Sequence, residues 1–269
     1  MALAVPATLS PSKVTSFKDC ALAFRFSVID GLAEPPSPAA VKGTLVHRAL
    51  EQLHCLEPAE RTLGAALAAL ETARAEALAD PEYLTLGLEG DAEEAFHHDA
   101  ERLVRRYFEL EDPTTVRSIG VELRLEAELG GVRLRGIIDR LDLDADGELV
   151  VTDYKTGRVP GIRQEQGRFG GVQFYAYLCE AMLGRRPARV QLLYLSEPVA
   201  IVATPSEQSL RGLRARVGAV WQAVERACAD DDFRPHPGPL CDWCAFRAHC
   251  PAFGGDPAGA RQRVPAAVG

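Results

Sequence analysis

The chain has 269 residues, 47% hydrophobic and 25% charged, with a formal net charge of -8 at pH 7. It is long enough for one large domain, or a domain with an insertion, around a sizeable core. The acidic balance weighs against general polyanion binding, which needs surplus Lys and Arg, but leaves room for a local basic surface. No run approaches 18 apolar residues, and MALAVPATLSPS lacks the basic flank and apolar stretch of a signal peptide, so a cytoplasmic protein without a membrane span is expected. Seven cysteines in such a chain are expected to be thiols or metal ligands and not a disulfide framework.

In chain order, Ser10-Pro11 reads as a helix cap followed by proline at the first helical position, opening a helix to about Ile29 that contains Cys20. The break AEPPSP separates it from a second helix, where Val46, Leu50 and Leu53 recur at helical spacing beside His47. Residues 56–118 are mostly Ala, Glu and Leu with few β-branched residues, which predicts an insertion of two or three helices. VELRLEAEL, 121–129, alternates strictly and predicts a half-exposed strand with Glu122, Arg124, Glu126 and Glu128 on the polar side. Strands at about 132–143 and 149–155 follow, joined by DADGE. A helix over RFGGVQFYAYLCEAML, strands RVQLLYLS and AIVATP, a long amphipathic helix from a serine cap, and a loosely ordered tail over 252–269 complete the order.

The central oddity is two acids in apolar strands. Period-two alternation puts Asp139 in a row with Ile137, Leu141 and Leu143, and Asp153 and Lys155 in a row with Leu149 and Val151, both expected on the core side. A three-residue turn Ala145-Asp146-Gly147 with a left-handed glycine pairs Asp144 with Glu148 and sets Asp139 opposite Asp153; a two-residue turn would set them on opposite faces. Opposed carboxylates roughly 5 Å apart repel by about 3 kcal/mol at an effective dielectric of 20. A shared proton or a divalent cation relieves that repulsion, and oxygen ligands favour Mg²⁺ or Mn²⁺. Lys155 then projects towards the same place, where an ammonium can orient or deprotonate a water and offset charge on phosphate. The plainer alternative pairs Asp139 with Arg140 or Arg135 and leaves Lys155 in solvent.

Near the C-terminus, LCDWCAFRAHCP supplies Cys241, Cys244 and Cys250 in a C-x₂-C-x₅-C run, a metal-binding signal. Zinc would take a fourth ligand from His249, His236 or Cys20. Cys55, Cys179 and Cys228 lie in apolar helical segments and are expected to be plain thiols. Between 155 and 168, Lys155, Arg158, Arg163 and Arg168 against Glu165 make a basic patch suited to a phosphate backbone.

With these residues on the page, the chain resembles the RecB-family exonucleases of the PD-(D/E)XK nuclease superfamily. GTLVH at 43–47 resembles the family's G-x-x-x-H motif, GIIDRLD at 136–142 its G-x-x-D, DYK at 153–155 its D/E-x-K, and QFYAY at 173–177 its Q-x-x-x-Y. The resemblance implies an α/β, restriction-endonuclease-like core with a mixed central sheet flanked by helices, in one nuclease domain over 1–250. It implies Mg²⁺ or Mn²⁺ held by His47, Asp139, Asp153 and the Tyr154 carbonyl, with Lys155 catalytic and Gln173 and Tyr177 contacting nucleic acid and supporting the site. The iron-sulfur branch takes one cysteine from the N-terminal helix and three from such a C-terminal run, which implies a [4Fe-4S] cluster on Cys20, Cys241, Cys244 and Cys250 closing a helical region, with 236–251 as its loop. The implied activity is hydrolysis of DNA, single-stranded by expectation, by an exonuclease of repair or recombination. The sequence contains no phosphate-loop motif, so unwinding would need a separate helicase. A non-cutting nucleic-acid-binding scaffold subunit of a helicase-nuclease complex is the alternative, and a glycosidase using the paired acids is weaker because it leaves Lys155 and the cysteines idle.

Overall fold

Local signals set most of the helices. In the computed structural model, which describes residues 2–159 and 161–261, α1 (Pro11–Asp19) starts at Ser10, whose side chain accepts the Lys13 N–H. The expected single N-terminal helix is interrupted at Cys20, which is extended at φ -161°. A short α2 (Ala21–Phe24) and a π-helical turn, Arg25–Ile29, carry the chain on. α3 (Pro38–His54) has Pro38 in its first turn and Ser37 as its cap. The expected insertion forms α4 (Leu63–Ala77), α5 (Pro81–Thr85) and α6 (Asp91–Leu110). These helices are no peripheral addition: Val46, Leu50 and Leu53 of α3 share one core with Leu70 of α4 and with Ala100, Leu103 and Tyr107 of α6.

The strands are β1 (Arg117–Leu129), β2 (Val132–Leu143), β3 (Leu149–Lys155), β4 (Arg189–Tyr194) and β5 (Val199–Ala203), in that spatial order. β3 pairs parallel to β4 while its other neighbour β2 and the β4–β5 pair are antiparallel, so the sheet is mixed. A parallel step needs a crossover, and α7 (Ile162–Leu183) supplies it. Between β2 and β3, Gly147 takes φ 77° and the Asp144 N–H reaches the Glu148 carbonyl at 2.9 Å. The ladder runs from Leu143–Leu149 to Arg140–Thr152, and the same register sets Asp139 opposite Asp153, as the three-residue turn requires.

One expectation about this hairpin does not hold. Alternation puts Asp139 in a buried row with Ile137, yet Ile137 is 38% exposed while Ile138 and Arg140 are at 0% and 1%. Leu141 and Asp142 are both buried, so β2 is covered on both faces over this stretch and alternation no longer separates inside from outside.

By its contacts the chain divides into two units, one comprising 1–35, 127–135 and 211–269, the other 36–126 and 136–210. In the first, Leu9 pairs with β2 through the Arg133 carbonyl and the Arg135 N–H, both at 2.9 Å. α8 (Glu207–Asp230) runs from the second unit into the first. Its start is capped reciprocally by Ser206 and Ser209. The tail expected to be loose from 252 contains α9 (Pro257–Arg261), capped by Asp256 and burying Ala260; residues 262–269 lie outside those described.

Candidate active site

The acids meet where the β2–β3 ladder ends. Just beyond Arg140–Thr152 the Tyr154 N–H donates to Asp139 Oδ2 at 2.7 Å. His47 comes in from α3, its Nε2 donating to the Tyr154 carbonyl at 3.1 Å and its Nδ1 facing Asp139 Oδ2 at 3.6 Å. That hydrogen bond fixes the tautomer and leaves Nδ1 with a lone pair for a ligand. One turn earlier, a Cβ on Gly43 would stand 3.1 Å from Thr156 Oγ1, so the absent side chain permits this close approach.

Asp153 is buried and forms an ion pair with the Lys155 ammonium, while the Tyr175 hydroxyl donates to it. Burial, reinforced by the nearby Asp153 charge, pushes the Asp139 carboxyl up to about 8, against the Tyr154 N–H and Lys155, which favour its ionised form. Burial lowers the His47 imidazole, so this ring is neutral at pH 7. For Lys155 burial acts to lower the ammonium, but the Asp153 carboxylate and its hydrogen bond outweigh it and hold the group above its usual range. In the metal-free protein Lys155 is therefore a donor and a positive charge, not a proton acceptor. Neither plain alternative occurs: Lys155 is paired, and Arg140 turns elsewhere.

The structure adds a residue that alternation assigned to the polar side of β1. Glu122 adopts φ 45° inside the strand, and residues 121–123 are all partly buried before alternation resumes with Arg124 exposed and Leu125 buried. An oxygen of Glu122, a nitrogen of His47 and an oxygen of Asp139 lie within 4.8 Å of one another, a spacing able to hold a cation. Burial raises the Glu122 carboxyl, and the charge of Glu51 adds to the effect. Nothing in VELRLEAEL marks this position, because its acids repeat at every second residue.

From α7, Gln173 is partly buried and Tyr177 buried. It is Tyr175, between them, that meets Asp153. Close packing brings it there: a Cβ on Gly136 would lie 2.8 Å from Leu178 and 3.2 Å from the Tyr175 ring. Of the expected basic patch, Arg158 is exposed; the side chains of Arg163 and Arg168 lie outside those described.

Arg140, 1% exposed, organises a second polar group. Its guanidinium pairs with Glu111 and Asp142 and donates to the Tyr154 hydroxyl at 2.7 Å and to His54 Nε2 at 2.9 Å. Burial, with Arg140 and Arg61 nearby, pushes His54 down to about 2, so it stays neutral and accepts from the arginine. Tyr154 thus links the two groups, its backbone on Asp139 and His47 and its hydroxyl on Arg140.

In the first unit three of the expected cysteines lie within electrostatic reach of the fourth, Cys244. Burial raises the Cys244 thiol, and Cys20, Cys241 and Cys250 are the charges that add to the shift. Backbone N–H groups point at three of the sulfurs: His236 to Cys20 at 3.4 Å, Gly238 to Cys241 at 3.3 Å, and Phe246 to Cys244. The histidines weighed as zinc ligands are engaged otherwise, His236 Nδ1 with the Asp19 carbonyl and His249 edge-on to Phe26. Cys179 and Cys228 are buried and Cys55 is exposed at the end of α3.

Known proteins resemble this chain in sequence and in fold. Over 136 residues the chain is 31% identical to the Gene 69 protein of Mycobacterium phage L5, covering 49% of this chain and 44% of the relative. It is 30% identical over 141 residues to the Gene 69 protein of Mycobacterium phage D29, covering 49% and 48%. The match thus spans about half the length of these curated relatives. A solved structure of an exonuclease candidate from Eubacterium rectale superposes with a TM-score of 0.57 at 12% identity, covering 88% of this chain and 87% of that one, a likeness of fold. The family model of the PD-(D/E)XK nuclease superfamily matches residues 8–251, nearly the whole chain. With its mixed sheet of restriction-endonuclease-like type, the chain belongs to the PD-(D/E)XK nuclease superfamily.

Proposed function

We propose that the protein is a metal-dependent DNA nuclease, an exonuclease acting on single-stranded DNA in repair or recombination. The observation that carries the hydrolytic reading is the meeting of Asp139, His47 and the Tyr154 backbone beside the Asp153–Lys155 pair. Superfamily membership supports it. The donor set fits Mg²⁺ or Mn²⁺: carboxylate oxygens, one neutral imidazole nitrogen and a carbonyl with a second lone pair. Asp139, His47, Asp153 and the Tyr154 carbonyl would hold the cation, which supplies an acidified water and neutralises phosphate oxygens. The chain's own residues do the rest. Lys155, held protonated beside Asp153, offers its charge to the phosphate and orients the attacking water. Tyr175 fixes the Asp153 carboxylate, while Gln173 and Tyr177 are assigned to the strand being cut by family likeness.

The preference for single strands and the role in repair come from that same likeness, as does a separate helicase partner. Among the described residues no helix is long and apolar enough to cross a membrane. The four thiols fit an iron-sulfur cluster as a structural clamp. The choice of [4Fe-4S] over zinc comes from the family likeness of the cysteine spacing.

End-labelled single-stranded DNA with Mn²⁺ is the test. Wild type is expected to shorten it, with Lys155→Ala and chelator each abolishing the reaction. Absence of wild-type cutting with Mg²⁺ or Mn²⁺ would favour the scaffold alternative.

A further inference from the structure

We propose that Trp243, Arg247 and Phe253, on the cysteine loop, form a platform on which bases of a single DNA strand stack. The inference rests on the nuclease reading above and deepens it by naming a surface that holds the substrate, made of residues with no part in hydrolysis.

The run CDWCAFRAHCPAF carries three aromatic rings, and the fold uses them in two ways. Phe246 is buried and packs on Phe26 with ring centroids 5.4 Å apart, which anchors the loop. Trp243 ends a tight 3-10 turn (Pro239–Trp243) and is 88% exposed; among the described residues no large hydrophobic side chain is more so. Tryptophan is highly buried on average, so an indole held in water marks a contact the isolated chain does not make. Leu240 of the same turn and Phe253 are exposed beside it in sequence. Arg247 ties this surface together: its guanidinium pairs with Asp242, the neighbour of Trp243, at 3.0 Å and lies over the Phe253 ring at 4.4 Å from the centroid. The Cys244 N–H bonds the Cys241 carbonyl and the Phe253 N–H the Cys250 carbonyl, at 3.4 and 2.9 Å, so the rings stand on braced turns and lose little freedom when something stacks on them.

Charge selects the occupant. The net charge of -8 is not shared evenly between the two units: the first, which holds the cysteine loop, has 13 Lys and Arg against 10 Asp and Glu, whereas the second has 17 against 28. A polyphosphate chain is therefore repelled by the second unit as a whole and attracted by the first, so an acidic protein that cuts DNA has to gather it on the first. Flat rings beside a guanidinium are the surface on which unpaired bases stack whatever their sequence, because every base has a π-face and the cation adds to the attraction. Bases inside a duplex already stack on each other, so the platform takes a single strand and not a paired one.

The test is the affinity of the full-length chain for fluorescein-labelled oligothymidylate, read by anisotropy in a Lys155→Ala background that leaves the strand uncut. Trp243→Ala is expected to weaken binding about fivefold or more, with the metal content of the purified protein unchanged. Trp243→Phe, which keeps a ring, is expected to retain most of the affinity but to lose the quenching of tryptophan fluorescence that unlabelled strand causes in the parent, leaving only the signal of Trp221 on α8. Leu84→Ala, at an exposed leucine of α5, leaves affinity unchanged. Parental affinity in Trp243→Ala, or no binding by the parent, would overturn the platform, as would a dimer that depends on Trp243 in a chain that binds no strand, since a second copy would then cover the patch. Binding through Trp243 in a wild-type protein that cuts no DNA with Mg²⁺ or Mn²⁺ would uphold the platform and discard the nuclease reading; cutting by wild type with binding indifferent to Trp243 would do the reverse.

Discussion

At the scale of single residues, the site stores cost in the metal-free protein. Glu122 adopts φ 45°, a conformation that costs a non-glycine residue about 1 kcal/mol or more. Glu122→Gly is therefore expected to raise the stability of the metal-free protein by about 1 kcal/mol in urea unfolding; a less stable variant would mean the backbone is not strained there. Asp139 gives a pH signature. Its folded carboxyl titrates near 8, against about 4 in an unfolded chain. Between those values the folded state keeps a proton that the unfolded state has lost, so stability falls as pH rises from about 4 to about 8, by at most about 1.4 kcal/mol per pH unit for one proton. Calorimetry in chelator from pH 5 to 8 is expected to show a falling melting temperature in wild type and a shallower fall in Asp139→Asn.

At the scale of elements, two glycines and an arginine set the packing. Gly136→Ala would drive a methyl into Leu178 and the Tyr175 ring, pushing α7 away from the sheet and Tyr175 from Asp153. A loss of about 1–3 kcal/mol is expected in urea unfolding, together with a fall in cleavage. Gly255 plays the same part in the cysteine region. Its N–H donates to the Cys250 carbonyl at 2.9 Å, and a Cβ there would stand 2.3 Å from the Ala248 carbonyl oxygen and 2.7 Å from the Cys250 nitrogen. Backbone atoms cannot yield as a side-chain tip can, so Gly255→Ala is expected to displace Cys250 and to lower whatever metal the proposed cysteine site holds, read by metal analysis of the purified protein. Arg140→Ala would leave Glu111 and Asp142 without their buried counter-charge and is expected to cost about 3–5 kcal/mol, measured by chemical unfolding.

At the scale of the whole molecule, what the sequence made legible was what short-range chemistry dictates. Gly147 in a three-residue turn fixes the β2–β3 register, and with it the opposition of Asp139 and Asp153. Ser37-Pro38 starts α3 and so presents His47 on the right helix. The four cysteines could be grouped from family likeness, and Cys20, Cys241 and Cys250 lie near enough to Cys244 for their charges to act on it. What escaped depends on long-range packing. Cys20 leaves the helical path where its sulfur accepts the His236 N–H from 216 positions away, a contact no local pattern announces. Arg140 looks like any surface arginine until α3 brings His54 and the end of α6 brings Tyr107 and Glu111 over it. Glu122 hides in an alternating strand because a single left-handed residue leaves no trace in the pattern.

A divalent cation bound where β2, β3 and α3 bring their ligands together is the claim on which the hydrolytic chemistry depends. Crystals of the full chain soaked in Mn²⁺ and measured at the manganese absorption edge test it most directly. An anomalous peak within about 2.3 Å of an Asp139 carboxylate oxygen is expected. No peak there, with the fold intact and Asp139 still bonded to the Tyr154 N–H, would contradict it.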